Sequence, residues 1–542
     1  MSAVEEALRE PAGRGSARLS AARLPRWWPL AALTLLAAAL RLATLDLQSF
    51  WYDEAFTPVH VLHGSLWATL RAVTHTENSP PLWYVLEWAD ARILGTGEVA
   101  LRLPSALAGI AAVPVAWRIG LELAGRRAAI LAAALMAVGP LFVWYSQEAR
   151  AYSLFVLAAA LAMLCFVRAQ REPTPRRMAA FALSGSLALL THYFAVFLLI
   201  GMVAWLLARA RTRRAALPAI GVLVLVGCAL VPLIAAQGGR STQWIGRWPL
   251  SERLAAIVQY YLTGTSGAPL GHGIELLIAL PLLAGVGLGL WRLSDPARPA
   301  GSSAGGVRDG SRLSHARELD GAKLALALAG CGVLIPLVLV AFGADYLAPR
   351  NLIGAMVALS ALIAVLLAAA AGARAGVALA VTFTLALLAI SLDVDLSPRL
   401  QRGNWRALAH ALGAAPRDRA ISTVELGAAP LEYYIAGLRN LPRGRSVMVS
   451  EIDETGYAPL RRSAGRSPAP GFRLIGRRNL DGLLVYRFVS PIPRLVSEET
   501  LRRHVITLAH PEVLVPSYLA IRPTAAGGPS ARAQMPSRQE KI

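Results

Sequence analysis

Runs of Leu, Ala and Val close to twenty residues long recur along this chain, separated by short segments in which arginine is concentrated. A helix rises about 1.5 Å per residue, so a run of about twenty crosses roughly 30 Å of hydrocarbon with every backbone hydrogen bond closed inside the segment. The apolar–polar alternation of a membrane barrel strand is not seen. At 55% hydrophobic over 542 residues, the chain is too apolar for a water-soluble globule with an ordinary core. It reads as a polytopic α-helical membrane protein.

About eleven crossings are expected, at residues 27–46, 101–119, 128–145, 152–169, 178–190, 193–208, 216–236, 272–292, 323–342, 351–371 and 376–392. The fifth is short, and with the sixth it reads either as a tilted helix or as a pair of half-helices, so the count around 178–208 stays open. The net charge of +21 comes from arginines gathered in alternate loops: Arg9 to Arg26, Arg126 and Arg127, Arg171 to Arg177, Arg209 to Arg214, and the stretch from Arg292 to Lys323. Basic loops stay on the cytoplasmic side. No basic stripe interleaved with aromatics suggests nucleic acid as a partner. The other loops, at 47–100, 146–151, 191–192, 237–271 and 343–350, then face outward. The first apolar run follows an arginine-bearing leader without a small-residue cleavage site, so it reads as a retained helix. Cys165, Cys228 and Cys331 lie in apolar runs without CxxC spacing and read as packing residues.

The domain reading follows: residues 1–26 a cytoplasmic tail, 27–392 a transmembrane domain with a large first outer loop at 47–100, 393–522 a small extracytoplasmic α/β domain, and 523–542 a disordered tail. Within the third part, Asn404–Leu412 and Leu431–Leu438 read as helices, and Ala420–Val424 and Ser446–Glu451 as strands. Gly471–Ile475 and Leu483–Val489 form a hairpin around an Asn-Leu-Asp-Gly turn. Ser294–Gly321, rich in Gly, Ser, Arg and Asp, reads as a flexible cytoplasmic linker.

The first outer loop carries most of the candidate chemistry. Ala55–Leu62 and Leu66–Val73 have amphipathic helical spacing, and Asp53 and Glu54 open the first of these segments. Acids at a helix start can serve the helix dipole alone, worth a few tenths to about 1 kcal/mol. For Glu54 that explanation and a chemical role stand level. Asp53 lies among Phe50, Trp51, Tyr52 and Phe56, bulk that a cap does not require, so it is the candidate general base. In Thr76–Tyr84 the prolines Pro80 and Pro81 make a stiff corner that holds Glu77 and Asn78 in place before a helix at Leu82. In Trp144–Leu154 there is almost no loop, so Glu148, Arg150 and Tyr152 sit at the outer boundary. Arg150 is read either as a phosphate contact or as an interfacial anchor, and Glu148 need not be its salt-bridge partner. His192 reads more readily as a hydrogen-bonded structural residue than as a metal ligand, and Arg350 in the last outer loop is the second choice for a phosphate contact.

These motifs resemble the GT-C superfamily of membrane glycosyltransferases, in the branch with protein O-mannosyltransferases and the lipid A aminoarabinose transferase. The resemblance is carried by YDEA at Tyr52–Ala55, ENSPPLWYVL at Glu77–Leu86, LRLPSALAG at Leu101–Gly109, GRRAAILAAAL at Gly125–Leu135 and SQEARAYSL at Ser146–Leu154, with YLAPRNLI at Tyr346–Ile353 similar to a late outer-loop motif. It implies an inverting transfer of sugar from a polyprenyl-phosphate donor to an acceptor hydroxyl at the outer face. It implies Asp53 as base or acceptor positioner with Glu54 completing an acidic pair, Glu77 and Asn78 near a second acidic position, and Arg150 among the donor-phosphate contacts. Relatives often carry Lys or His before the paired prolines where this chain has Ser79, which leaves a divalent metal open. The implied partners are the lipid bilayer, the lipid-linked sugar and an acceptor that is protein, lipid or glycan. The rival reading is a transporter or lipid flippase. Against it, the charges gather at one face and no paired halves appear.

Overall fold

The computed structural model describes residues 27–238, 243–267, 270–294, 307–413, 418–507 and 510–523. The expected tail at 1–26 lies outside the described residues, and so does the expected tail at 523–542 except for Pro523, which ends a strand. Each expected crossing coincides with a helix, but the count of eleven is not established. Among the described residues seven helices are long and apolar enough to span, and eight if Arg126–Val138 and Pro140–Ser146, bent by 52°, form one broken span. Trp28–Leu42 and Ala195–Leu207 are apolar but shorter. The linker reading is corrected over its second half: Val307–Ala341 is one continuous helix, while 295–306 lie outside the described residues. Leu250–Gly267, also helical and kinked at Gly264, occupies what reads from sequence as an outer loop.

Small side chains set the centre of the bundle. Ala128, Ala129, Ala132, Ala133 and Ala137 are buried on one short helix, and small residues let backbones approach where no hydrophobic drive separates helix from lipid. Gly120 permits a close approach, because a Cβ there would collide with the backbone of Ala128 and Ala129. Large apolar side chains point outward instead, Leu225 and Leu277 both being 69% exposed. That is the pattern of a lipid-facing wall, which in water would be a site of aggregation.

The bend at Gly139–Pro140 strands the carbonyls at the end of the preceding helix. Arg41, fully buried on the first helix, donates to Ala137 O at 2.8 Å and Met136 O at 2.9 Å, with its Nε on Ser146 Oγ at 3.0 Å. Ser391 Oγ serves Val138 O at 2.8 Å. The break is therefore satisfied by protein.

Among the described residues the carboxy-terminal part is a mixed sheet of seven strands, β1 (Arg419–Val424), β2 (Leu438–Asn440), β3 (Arg445–Gly456), β4 (Arg473–Leu480), β5 (Leu483–Ser497), β6 (Pro511–Pro516) and β7 (Ile521–Pro523), in the order β2-β6-β1-β3-β5-β4 with β7 paired to β3. Only β1 and β3 run parallel, and the helix Ala428–Tyr434 lies in their crossover. The expected hairpin is present and longer than read: β4 and β5 meet at Asp481–Gly482, both at positive φ, as a two-residue turn demands. The helix expected at Leu431–Leu438 ends at Tyr434, and Leu438 starts β2 instead.

This sheet docks on the first loop through the helix Ala428–Tyr434. The Phe50 amide donates to the Tyr434 hydroxyl at 2.7 Å, which donates in turn to Glu98, and Tyr433 donates to Thr96 O at 2.8 Å. Ser49 Oγ donates to Gly403 O and accepts from the Trp405 amide, both at 3.0 Å.

Candidate active site

The chain leaves its first helix and is gripped at once by Arg102, an arginine inside the second long helix. Its Nη1 donates to Leu45 O at 3.0 Å and Gln48 O at 2.7 Å, and its Nη2 to Ser49 O at 3.2 Å. The same guanidinium holds Glu54 with two bonds of 2.6 and 2.7 Å, and the Ala149 amide adds a third at 3.0 Å. Glu54 is fully buried. Burial alone would raise its carboxyl, but the charges of Arg102 and Arg402 outweigh that and hold it below the usual range. Its environment is that of a structural anchor.

Asp53, one residue earlier on the helix Tyr52–Phe56, turns the other way. Its carboxylate is 23% exposed and meets Arg350 Nη1 at 3.2 Å. Behind it, the Thr57 amide bonds Glu54 O, and a π-helical turn at Thr57–Val61 follows. Asp53 O is left for Arg150, which reaches it at 3.3 Å. Arg150 forms a fork on Glu77, with Nη1 to Oε1 at 3.3 Å and Nη2 to Oε2 at 3.1 Å. The arginine read from sequence as a phosphate contact is thus engaged with Glu77 and the Asp53 backbone. Gln237 fixes the proline corner by donating to Val73 O at 3.2 Å and Ser79 O at 3.1 Å, while accepting from Tyr193 at 2.8 Å. Asn78 is exposed at the tip of that corner, and the helix begins at Leu82 as the prolines require.

Arg350 opens onto a cavity of ≈ 280 Å³ walled by Trp51, Trp144, Tyr145, Trp248, Tyr260, Ala348 and Pro349, with Glu148 and Arg402 among its polar groups. Glu148 is paired with Arg402 at 2.7 Å, and not with Arg150, as the helical spacing suggested. Burial pushes its carboxyl up to about 7 against the opposing charge of Arg402. Tyr152 packs at a tilt against the cavity residue Tyr145, with ring centroids 4.6 Å apart.

His192 is buried against Phe155 and Phe194, at 4.8 and 5.0 Å between rings, and its Nδ1 accepts from the Phe194 amide at 3.3 Å. Burial lowers it to about 3, with Arg350 and Arg150 adding to the effect, so it is neutral. It packs beside the site as a structural imidazole. Asp345 is held by Arg253 at 2.6 Å. Among the described residues no group of three His, Cys, Asp or Glu side chains is arranged to hold a metal ion.

Sequence reasoning missed Arg102, Gln237, the tryptophans Trp144 and Trp248, and Arg402. For Arg102 a signal existed, since an arginine within an apolar span is costly enough to imply a purpose. Arg402 sits in an unremarkable polar stretch and carried none.

Residues 78–235 match the family described as dolichyl-phosphate-mannose-protein mannosyltransferase. No curated protein matches the chain in sequence. In structure the chain is similar to ArnT from Cupriavidus metallidurans bound to undecaprenyl phosphate, at 13% identity and a TM-score of 0.41, with 85% of this chain and 98% of that chain covered. It is also similar to the Archaeoglobus fulgidus oligosaccharyltransferase in complex with zinc and sulfate, at 16% identity and a TM-score of 0.43, with 75% of this chain and 57% of that chain covered. The family match takes in the proline corner from Asn78, the LRLPSALAG and GRRAAILAAAL segments and the turn with Glu148 and Arg150, and so bears out the resemblance of this chain to the GT-C membrane glycosyltransferases.

Proposed function

We propose that the chain transfers a sugar from a polyprenyl-phosphate donor to an acceptor hydroxyl, with inversion at the anomeric carbon, on the extracytoplasmic side of the membrane. The observation that carries this reading is the pair of Asp53 and Arg350 at 3.2 Å beside an aromatic-walled cavity. A base and a cation side by side suit a displacement in which an acceptor loses a proton as a phosphate gains charge. The acceptor oxygen attacks the anomeric carbon from the face opposite the phosphate, and its proton passes to Asp53. The bond from carbon to phosphate oxygen breaks, its electron pair leaves with the lipid phosphate, and Arg350 neutralises the added negative charge. The tryptophan and tyrosine rings offer apolar faces for the sugar and the first isoprene units.

Glu54 enters this scheme as a positioning residue acting through Arg102, and Glu77 with Arg150 positions Asp53 through its backbone carbonyl. Asn78 and Tyr152 are the remaining candidate contacts to acceptor and donor. Support for the orientation comes from the end of the bundle where Arg168, Arg171 and Arg317 converge on Glu122, the basic end that stays in the cytoplasm.

Asp53→Asn should insert, fold and bind polyprenyl-phosphate sugar while losing transfer by about 10²–10⁴-fold. Retained turnover would remove Asp53 from the chemistry. Donor translocated across vesicles without any product would support the flippase reading instead.

A further inference from the structure

We infer that Arg402, from the segment joining the last spanning helix to the sheet, is a phosphate-binding residue that seats the donor's lipid phosphate together with Arg350. The inference rests on the reading of the cavity as the donor site. Arg402 is 5% exposed, and only Nη2 of its fork is used, on Glu148 Oε2. Its Nε and Nη1 are buried without a partner, and so is Glu148 Oε1. A guanidinium presents five N–H donors in a fixed plane, and leaving buried donors unmade is unfavourable. An arginine half-satisfied by a carboxylate, inside a cavity, is arranged for an anion with more oxygens than a carboxylate can offer, and phosphate is such an anion.

The fork is held ready. Its carbon lies 4.0 Å from the ring centre of Trp144 and 6.0 Å from that of Trp51, which fixes its plane by cation–π contact. The Arg402 amide donates to Gln48 Oε1 at 3.2 Å, and the neighbouring Gln401 donates to Asp395 O at 2.7 Å. Arg350 is paired with Asp53 and Arg402 with Glu148, so a phosphate is met by the donors of Arg402 that Glu148 leaves unused. Bond cleavage adds a second negative charge to the phosphate, which strengthens its bonds to those guanidinium donors. Two residues after Gly403, whose carbonyl is held by Ser49, Trp405 packs into the core of the sheet region. The carboxy-terminal part thereby completes a site whose other members belong to the bundle.

The test uses the full chain in lipid nanodiscs, with polyprenyl monophosphate, uncharged polyprenol and inorganic phosphate as probes. Arg402→Gln should weaken polyprenyl monophosphate by about ten-fold or more while polyprenol binding holds, and Arg402→Lys, a point charge without the fork, should recover part of the loss. Equal affinity in wild type and Arg402→Gln overturns the assignment. A wild-type protein that fails to prefer the phosphate over polyprenol overturns the donor-site reading itself, a result separable from the first. Inorganic phosphate displacing the lipid phosphate at equal concentration overturns the lipid source. Should Arg402→Gln fail to fold, Glu148→Gln takes its place: it frees the fork and should tighten binding of polyprenyl monophosphate, and unchanged affinity overturns the proposal.

Discussion

Asp53 and Glu54 are consecutive carboxylates on one short helix, each facing an arginine, yet their surroundings differ in every respect that matters for chemistry. Around Glu54 the space is closed: no surface is exposed, and three donors from Arg102 and Ala149 fill the carboxylate. Around Asp53 it is open, with a single longer contact to Arg350 beside a cavity. A helix turns about 100° per residue, so neighbours must face different ways. The chain uses one acid to hold the loop against the bundle and leaves the other accessible. What separates an anchor from a reactive group here is unfilled capacity.

Breaking the closed pair should have the largest effect. Arg102→Ala strands Glu54 and three carbonyls, and should destabilise the fold by about 3–5 kcal/mol, read from thermal unfolding in detergent. Asp53→Asn should leave that melting temperature nearly unchanged while abolishing transfer; a matching loss of stability in both variants would erase the distinction between the two acids. Of intermediate size, Glu77→Gln loosens Arg150 from one side and should lower kcat by about ten-fold with little change in KM, as expected when a base is mispositioned and not removed.

The pH dependence sharpens the comparison further. Glu148 faces Arg402, with Glu54 and Asp53 as neighbouring acids, and burial raises it to about 7. A raised carboxyl favours the folded state while protonated, so its contribution is full below the ordinary carboxylate value and is lost as pH rises through about 7. Thermal stability should therefore fall between pH 5 and 8, and Glu148→Gln should flatten that slope. At the small end, His60→Ala removes a contact to Glu432 in which the histidine is 39% exposed. It should shift stability by less than about 1 kcal/mol.

Much of this was legible because lipid imposes simple rules. The Arg-bearing loops, the long apolar runs and the acid cluster after the first helix follow from patterns within short windows of sequence. Asp53 stood out by its aromatic neighbours, and Arg350 by its place at the start of a helix. Glu54 stayed level between a dipole cap and a chemical role, because the partner that decides it, Arg102, lies 48 positions away. Arg402 and Glu148 are 254 apart, and nothing local marks either as half of a pair. Strand β6 escaped notice because Pro511 and Pro516 bracket it, a mark of edge strands, whereas it lies between β2 and β1. The helix expected at Leu431–Leu438 was misplaced by several residues, since apolar runs of that length suit either helix or strand.

Arg41 adds a demand on the order in which the protein is assembled. Its acceptors at the broken helix lie 95, 96 and 105 positions further along the chain. During synthesis the first helix therefore emerges with a guanidinium in its hydrophobic stretch and, from its own residues, only the Ala37 carbonyl at 3.3 Å to accept from it, a state lipid disfavours. Until the later segment arrives, that helix must sit shallowly or in the shelter of the insertion machinery, and its final depth is set only when the bend at Gly139–Pro140 closes over it.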